Sequence, residues 1–152
     1  MTQETNERVV EKSVTVSVPV ERAFEVFTAE IGTWWPLRTH AVDSERSETV
    51  VMESWVGGRL YERSPAGEEH VWGTIAAWEP PNRVVYSWHP GRGEETAQEV
   101  EVTFSREGDG TRVDVRHYGW EKLGDRMDET VADYDEGWDL VIAGYVAAAN
   151  RP

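Results

Sequence analysis

The chain has 152 residues, which is enough for one ordinary domain with a core and room for a cavity. Its 29 acidic and 15 basic residues give a formal net charge of −14, which opposes nonspecific contact with nucleic acid and with anionic membranes, so we expect neither as a partner. It contains no cysteine, which excludes disulfides, thiol nucleophiles and thiolate metal sites.

The N-terminal sequence predicts a cytoplasmic location. MTQETNERVVEK has no apolar segment of the kind found in signal peptides. No stretch approaches the roughly 18 apolar residues that a membrane span needs. Residues 1–8 are polar and charged and are predicted to form a flexible tail, followed by a single domain over residues 9–150.

The first two elements are predicted to be a strand and an amphipathic helix. In residues 9–18, VVEKSVTVSV, valine alternates with serine or threonine from residue 13 onward, which is typical of a half-buried strand. Residues 19–31, PVERAFEVFTAEI, repeat apolar residues every three or four positions and begin with proline and then an acidic residue. Gly32 is predicted to end this helix, and the motif Trp-Trp-Pro follows it.

Six further strands are predicted, separated by turns rich in glycine and proline. They cover residues 48–54, 59–64, 70–78, 83–89, 98–106 and 111–119. This spacing favours an antiparallel meander. In its last hairpin a loop at residues 107–110 would pair Phe104 with Val113 and place Glu101 opposite Arg116, as cross-strand pairing favours.

The C-terminal segment changes to the helical period. Its apolar and aromatic residues form one stripe: Val131, Tyr134, Trp138, Val141, Ile142, Tyr145 and Ala149. The helix is predicted to start near Asp128 or Thr130 and to run for about 20 residues, or roughly 30 Å. The element order predicts an α+β protein in which a curved sheet packs against this helix.

Five segments, in order over about residues 9–149, resemble one known superfamily. They are VTVSVPVERAFEVFTAEIGTWWP, GGRLYE, WGTIAAWEPPNRVVYSWHP, VEVTFSREGDGTRVDVRHYGWE and YDEGWDLVIAGY. They are similar to the START/SRPBCC superfamily, which includes the birch-pollen allergen. Within it they resemble the branch named for the C-terminal domain of the heat shock protein 90 ATPase activator.

The resemblance implies a helix-grip fold. In that fold a curved antiparallel sheet of seven strands wraps around a long C-terminal helix, and two short helices follow the first strand. It also implies an apolar cavity between sheet and helix, where relatives bind lipids, sterols, polyketides or plant hormones. Fold implies activity only weakly, and the chain has no room for the separate N-terminal domain of the eukaryotic activator, so chaperone contact is the least favoured partner.

Nine residues are predicted to line this cavity and contact a ligand. Strand alternation puts His117 on the face of Val113 and Val115. Its imidazole would either be satisfied within the protein, by Tyr134 or a backbone carbonyl, or bond a ligand. The full set is Trp34, Trp35, Arg38, Trp88, His117, Trp120, Tyr134, Trp138 and Ile142.

Two of these assignments leave alternatives open. Trp34 and Trp35 are adjacent, so at most one of them should line a cavity. Arg38 and His40 belong either to a solvated loop or to the cavity mouth, where they could meet an anionic head group.

Trp72 and Trp78 share one strand parity, and Val71, Ile75 and Ala77 share the other. The sequence does not settle which set faces the helix.

The leading functional hypothesis is a binding protein for a hydrophobic or aromatic small molecule, without a tightly bound cofactor. One alternative is a protein-interaction module that contacts a chaperone or a second copy of itself. It would need an exposed apolar patch, which tryptophans facing solvent in a row would provide. Another is a cavity enzyme such as a cyclase or hydrolase, in which His117 with a nearby carboxylate or tyrosine would act as acid or base. No catalytic residue is assigned and no metal site is expected, because the four histidines lack zinc-binding spacing and no phosphate loop or nucleophile elbow is present.

Overall fold

The computed structural model describes residues 8–151. Most of the predicted tail, residues 1–8, lies outside the described residues. The last residue of this tail, Arg8, is described. Its Nη2 atom lies 2.7 Å from Oδ1 of Asp128 at the surface.

Within residues 8–151, seven strands and two α-helices form the α+β helix-grip fold that the sequence predicts. All strand pairs are antiparallel, and the sheet order is β1-β7-β6-β5-β4-β3-β2. The strands are β1 (Val9–Val16), β2 (Thr49–Met52), β3 (Arg59–Arg63), β4 (Glu69–Glu79), β5 (Arg83–Trp88), β6 (Gln98–Glu107) and β7 (Gly110–Tyr118). The helices are α1 (Val20–Phe27) and α2 (Met127–Ala149), with short 3₁₀ segments at Ile31–Thr33, Glu94–Thr96 and Trp120–Arg126.

The register of the β6–β7 hairpin is the one predicted. Phe104 pairs with Val113, and Glu101 pairs with Arg116. The guanidinium Nη1 of Arg116 lies 3.5 Å from Oε1 of Glu101. This pairing places His117 on the inner face of β7, where it is fully buried.

The first helix is shorter than the sequence pattern predicts. It ends at Phe27, where the Thr28 hydroxyl donates a hydrogen bond to the Phe24 carbonyl at 2.7 Å. Such back-bonding from a β-branched residue competes with regular helix continuation. Gly32 therefore does not end α1. It lies in the following 3₁₀ segment, where a Cβ atom would come within 2.8 Å of the Val50 carbonyl oxygen, so glycine lets this segment pack directly on β2.

Two β-bulges in β4 settle which of its side chains face inward. Trp72 is the extra residue opposite Leu60–Tyr61 of β3, and Ala76 is the extra residue opposite β5. Each bulge shifts the alternation by one residue. The expectation that only one parity set faces the helix is therefore wrong, because Trp72, Ile75 and Trp78 all turn toward the inside.

Because these tryptophans turn inward, they do not form an exposed row on β4 and β5. Trp72 and Trp88 are buried, and the ring of Trp78 packs edge-on against Phe24 with centroids 5.1 Å apart. The exposed tryptophan is Trp55, which lies in the β2–β3 turn beside exposed Val56.

The long helix α2 crosses the concave side of the sheet with its predicted stripe inward. Trp138, Val141, Ile142, Tyr145 and Ala149 are all buried. At the edge of the sheet, Nζ of Lys12 in β1 lies 3.0 Å from a carboxylate oxygen of both Asp135 and Asp139. Among residues 8–151, no helix is both long and apolar enough to cross a membrane.

Candidate functional site

A cavity of about 500 Å³ lies between the sheet and α2. This volume falls within the range of small-molecule sites. Its walls come from the loop after the Trp-Trp-Pro motif, from β4 and β5, from the turn after β5, and from one face of α2. The lining residues are Trp35, Thr39, His40, Ala41, Val42, Trp72, Trp88, Pro90, Gly91, Asp133, Tyr134, Gly137, Trp138 and Val141.

Three of the four cavity indoles form one continuous aromatic surface. The ring centroids of Trp35 and Trp72 are 5.0 Å apart, those of Trp72 and Trp88 are 5.4 Å apart, and those of Trp35 and Trp88 are 5.9 Å apart. Tilted and edge-on contacts at these distances are favourable for aromatic pairs. The indole N–H of Trp35 donates to the His40 carbonyl at 2.7 Å, which fixes its ring against the wall.

Tyr134 supplies a polar group to this aromatic wall. Its hydroxyl oxygen accepts a hydrogen bond from the indole N–H of Trp88 at 2.9 Å. Burial raises the pKa of Tyr134, so the hydroxyl is protonated at neutral pH. Its proton has no acceptor among the residues that the structure describes, which leaves one donor free beside the cavity.

Glu62 of β3 holds the cavity wall from behind. One carboxylate oxygen accepts from the backbone N–H of Val42 and from the indole N–H of Trp72, both at 2.6 Å. The other accepts from the backbone N–H of Asp43 at 2.8 Å and from the Ser47 hydroxyl. A single side chain on β3 therefore fixes both the loop that carries Val42 and the indole of Trp72.

These hydrogen bonds keep Glu62 ionised although its side chain is fully buried. Burial alone would raise its pKa, but the hydrogen bonds from Ser47, Asp43, Val42 and Trp72 outweigh burial, and the pKa lies below its ordinary value. A buried carboxylate with all its acceptors used is a structural anchor rather than a reactive group.

His117 lies behind the wall, in a chain of hydrogen bonds that leaves neither ring nitrogen free. Nδ1 accepts from the indole N–H of Trp138 at 3.0 Å, and Nε2 lies 3.2 Å from Oε1 of Gln98. The Gln98 amide nitrogen donates to the Thr96 carbonyl, so its oxygen faces His117 and accepts from Nε2. The imidazole also stacks on Trp120 at a centroid distance of 4.0 Å.

This environment keeps the imidazole neutral. Burial lowers the pKa of His117 from 6.5 to about 3. The sequence left open whether His117 is satisfied inside the protein or bonds a ligand, and the structure gives it partners inside the protein. The partners are Trp138 and Gln98, not the predicted Tyr134 or a backbone carbonyl. A role as acid or base toward a cavity ligand has no support from this geometry.

The structure brings four of the nine predicted site residues to the cavity wall: Trp35, Trp88, Tyr134 and Trp138. The other five lie elsewhere. Trp34 packs in the core against Tyr145 and donates its indole N–H to the Val26 carbonyl at 2.7 Å. Arg38 is exposed on the loop, while His117, Trp120 and Ile142 are buried behind the wall.

The adjacent tryptophans thus have different roles, as the sequence indicated for a neighbouring pair. Trp35 faces the cavity and Trp34 faces the core, although both are buried to the same degree. Of the two loop residues considered for the mouth, His40 lines it and Arg38 does not.

At the mouth, the imidazole of His40 lies over α2. Its Nδ1 is 2.7 Å from the Thr39 hydroxyl, and its Nε2 would be 3.4 Å from a Cβ atom built on Gly137. The absence of a side chain at Gly137 therefore keeps space open between the helix and the loop. Asp133 is exposed on the same rim.

Sequence reasoning missed Trp72 and Glu62. Trp72 is turned inward by a bulge. The sequence signal for the bulge was the glycine at position 73, and in the structure a Cβ atom there would lie only 1.7 Å from the Ser87 carbonyl oxygen. Glycine inside a strand commonly marks a bulge or a close backbone approach. Glu62 shares the parity of Leu60 in β3, so strand alternation places it on the inner face in the same way as His117.

The sequence profile of the family described as "Activator of Hsp90 ATPase homolog 1-like protein" matches residues 17–147. A comparison with curated proteins finds no significant match.

Solved structures with the same fold include two proteins with recognisable sequence similarity. The anthrahydroquino-γ-pyrone synthase Txn09 is 31% identical, with a TM-score of 0.60, and the match covers 91% of this chain and 95% of that one. CalC, a self-sacrificing resistance protein from Micromonospora echinospora, is 28% identical, with a TM-score of 0.67 and 93% of each chain covered. The Aha1 dimer from Colwellia psychrerythraea is 14% identical, with a TM-score of 0.68 and coverage of 94% and 96%, which shows the fold alone.

Replacing Glu62 with glutamine should destabilise the protein. The carboxamide has almost the same size but places an N–H₂ donor against backbone and indole donors, so at least one buried group loses its partner. We expect Glu62→Gln to lower the free energy of unfolding by about 2–3 kcal/mol in urea denaturation at pH 7. Exposed Glu68, whose carboxylate is 3.7 Å from Arg46, is the control. Glu68→Gln should cost less than about 0.5 kcal/mol, and equal losses in the two variants would contradict the anchoring role.

Stability should fall on mild acidification because of His117. Its folded-state pKa of about 3 is below the unfolded value of 6.5, so the unfolded state takes up the proton first. The contribution of neutral His117 to the free energy of unfolding is complete above pH 6.5 and is lost as the pH falls toward 3. Between pH 7 and pH 5 it should remove about 2 kcal/mol from the free energy of unfolding. His117→Gln should remove about that much of the pH dependence. If the pH dependence of stability is unchanged in His117→Gln, the pKa of this imidazole does not differ between the folded and unfolded states.

Proposed function

We propose that this chain, which belongs to the activator of Hsp90 ATPase homolog 1-like family, binds a flat aromatic small molecule in the indole-lined cavity. The observation that carries the proposal is the wall itself. Trp35, Trp72, Trp88 and Trp138 all line one space of about 500 Å³, so a ligand with fused rings would meet an aromatic partner on several sides.

The rigidity of the wall supports binding of a preferred shape. Trp35 is tied to the His40 carbonyl, Trp72 to Glu62, Trp88 to Tyr134 and Trp138 to His117 through their indole N–H groups. Each cavity indole is therefore held by a hydrogen bond as well as by packing. A preorganised wall reduces the side-chain entropy lost on binding.

The charges around the cavity disfavour an anionic ligand. Asp133 lies on the rim, the Glu62 carboxylate lies behind the wall, and the whole chain has a formal charge of −14. An anion entering this field would be repelled. Tyr134 offers a neutral hydroxyl donor, which suits a ketone, quinone or phenol oxygen better than an ionised group.

The name of one solved relative supports this ligand class. The solved relative with 31% identity over 91% of this chain is named for the synthesis of an anthrahydroquino-γ-pyrone, a fused-ring compound. We propose binding rather than catalysis for this chain, because His117, on which the enzyme alternative rested, has both ring nitrogens occupied behind the wall.

A side chain at Gly137 should close the cavity without harming the fold. Leucine at this position of α2 would project toward His40 and fill the mouth, while removing a glycine from a helix interior favours the helix by up to about 1 kcal/mol. We expect the wild-type protein to bind 9-fluorenone, a neutral three-ring ketone, with saturable quenching of tryptophan fluorescence. Gly137→Leu should weaken this binding roughly tenfold or more.

Gly137→Ala is the matched control, because it makes the same change in helix propensity with only one added methyl group. Its affinity for 9-fluorenone should stay within about twofold of wild type, and its unfolding temperature should rise. Absence of saturable binding to the wild-type protein would overturn the proposed ligand class. Unweakened binding to a folded Gly137→Leu variant would place the ligand elsewhere.

A further inference from the structure

The indoles of the cavity wall have no hydrogen-bond donor left for a ligand. An indole side chain carries one N–H group and no acceptor. In Trp35, Trp72, Trp88 and Trp138 this N–H group is already bonded to an acceptor within the protein. The indoles therefore offer a ligand the surfaces of their rings but no conventional hydrogen bond.

Tyr134 differs from the indoles because a phenol hydroxyl can accept and donate at the same time. Its oxygen accepts the Trp88 N–H at 2.9 Å, and none of the residues that the structure describes accepts its proton. Burial raises the pKa of Tyr134, so this proton is present at neutral pH. Since Tyr134 lines the cavity, a ligand oxygen there can accept the proton while the hydrogen bond from Trp88 stays in place.

The Tyr134 hydroxyl is a preorganised donor. The rings of Trp88 and His117 lie edge-on to the Tyr134 ring, with centroids 6.3 and 5.2 Å away, and the Trp120 ring lies tilted against it at 5.4 Å. These contacts hold the ring in place. The hydrogen bond accepted from Trp88 also polarises the hydroxyl, because hydrogen bonds in a chain strengthen one another.

The same part of the wall has no free side-chain acceptor among the described residues. Indoles have no acceptor atom, and the Tyr134 oxygen is occupied by the Trp88 N–H. The lining side chains that could accept lie at the mouth and on the rim: Thr39, His40 and Asp133. A ligand that carried an O–H or N–H group on its buried edge would leave this donor unpaired, which weakens binding.

We propose that the Tyr134 hydroxyl determines the specificity of the cavity by donating to a carbonyl oxygen on the buried edge of the ligand. This inference rests on the proposed function and narrows its ligand class to fused-ring ketones and quinones. Such a compound brings an acceptor for Tyr134 and no donor of its own. The site thereby distinguishes it from the hydrocarbon of the same skeleton and from the corresponding alcohol or hydroquinone.

The test uses three probes with one ring skeleton: the ketone 9-fluorenone, its alcohol 9-fluorenol and the hydrocarbon fluorene. Equilibrium dialysis with chromatographic quantification gives the affinity of each. Tyr134→Phe also removes the acceptor of the Trp88 N–H, and the probes differ in hydration, so the informative quantity is the change in affinity ratio between wild type and variant. Tyr134→Phe should lower the ratio of 9-fluorenone to fluorene affinity roughly tenfold. Wild type should bind 9-fluorenol at least several-fold more weakly than 9-fluorenone.

The infrared carbonyl stretch of bound 9-fluorenone separates a hydrogen bond from a packing effect. Hydrogen bonding lowers the frequency of a carbonyl stretch, so the band in wild type should lie below its position in cyclohexane. In Tyr134→Phe the band should return toward the cyclohexane position, which loosening of the wall alone would not produce. The wild-type band needs no variant, so it tests the inference even if Tyr134→Phe folds poorly.

Tyr145→Phe is the matched control. It removes a phenol hydroxyl from the same helix, but this hydroxyl donates to the Ala23 carbonyl at 2.8 Å and lies outside the cavity lining. The ratio of 9-fluorenone to fluorene affinity and the position of the carbonyl band should both stay at their wild-type values.

Each contrary outcome overturns a different statement. If Tyr134→Phe keeps the wild-type ratio of 9-fluorenone to fluorene, or if the wild-type band lies at the cyclohexane position, Tyr134 does not bond the ligand and the inference fails while the proposed function stands. If 9-fluorenol binds wild type as tightly as 9-fluorenone, the restriction to carbonyl compounds is wrong. If wild type binds none of the three probes, the proposed function and the inference fail together.

Discussion

The cavity depends on one buried carboxylate. Glu62 accepts hydrogen bonds from Val42, Asp43, Ser47 and Trp72, so it ties β3 to a loop twenty residues earlier in the chain and to the neighbouring strand β4. Without it, the loop would have no polar attachment at this point and the Trp72 indole N–H would be buried unpaired. Loss of these hydrogen bonds would destabilise the fold strongly, because a buried polar group without a hydrogen-bond partner is costly in a low-dielectric interior. The position of two cavity walls therefore follows from one side chain.

The opposite wall is fixed by a second polar chain, from Trp138 on α2 through His117 and Gln98 to the Thr96 carbonyl. It sets the rotation of the helix over the sheet and aims the Trp138 ring at the cavity. Both polar chains end on an indole N–H, which explains how a protein with eight tryptophans can line a cavity with indoles and still satisfy their nitrogens. The aromatic surfaces are left free to face a ligand.

The sequence predicts most of the fold because periodicity is a local property. The β6–β7 register, the α2 stripe and the inward face of His117 all follow from patterns within twenty residues. The cavity wall depends on longer-range features. The bulge at Trp72 reverses an alternation that reads as regular in the sequence, and two of the four donors to Glu62 are backbone N–H groups, which carry no sequence signature. The partners of His117 lie on two different elements, so periodicity could place the ring but not its hydrogen bonds.

The most direct test of the account is a ¹⁵N–¹H spectrum of the eight indole N–H groups, assigned by single Trp→Phe variants and recorded with and without 9-fluorenone. If the ligand occupies the cavity, the largest shifts will belong to Trp35, Trp72, Trp88 and Trp138, while exposed Trp55 and distant Trp78 will stay in place. Shifts concentrated at Trp55 or Trp78, or a spectrum unchanged at saturating 9-fluorenone, would contradict the claim that this cavity binds an aromatic ligand.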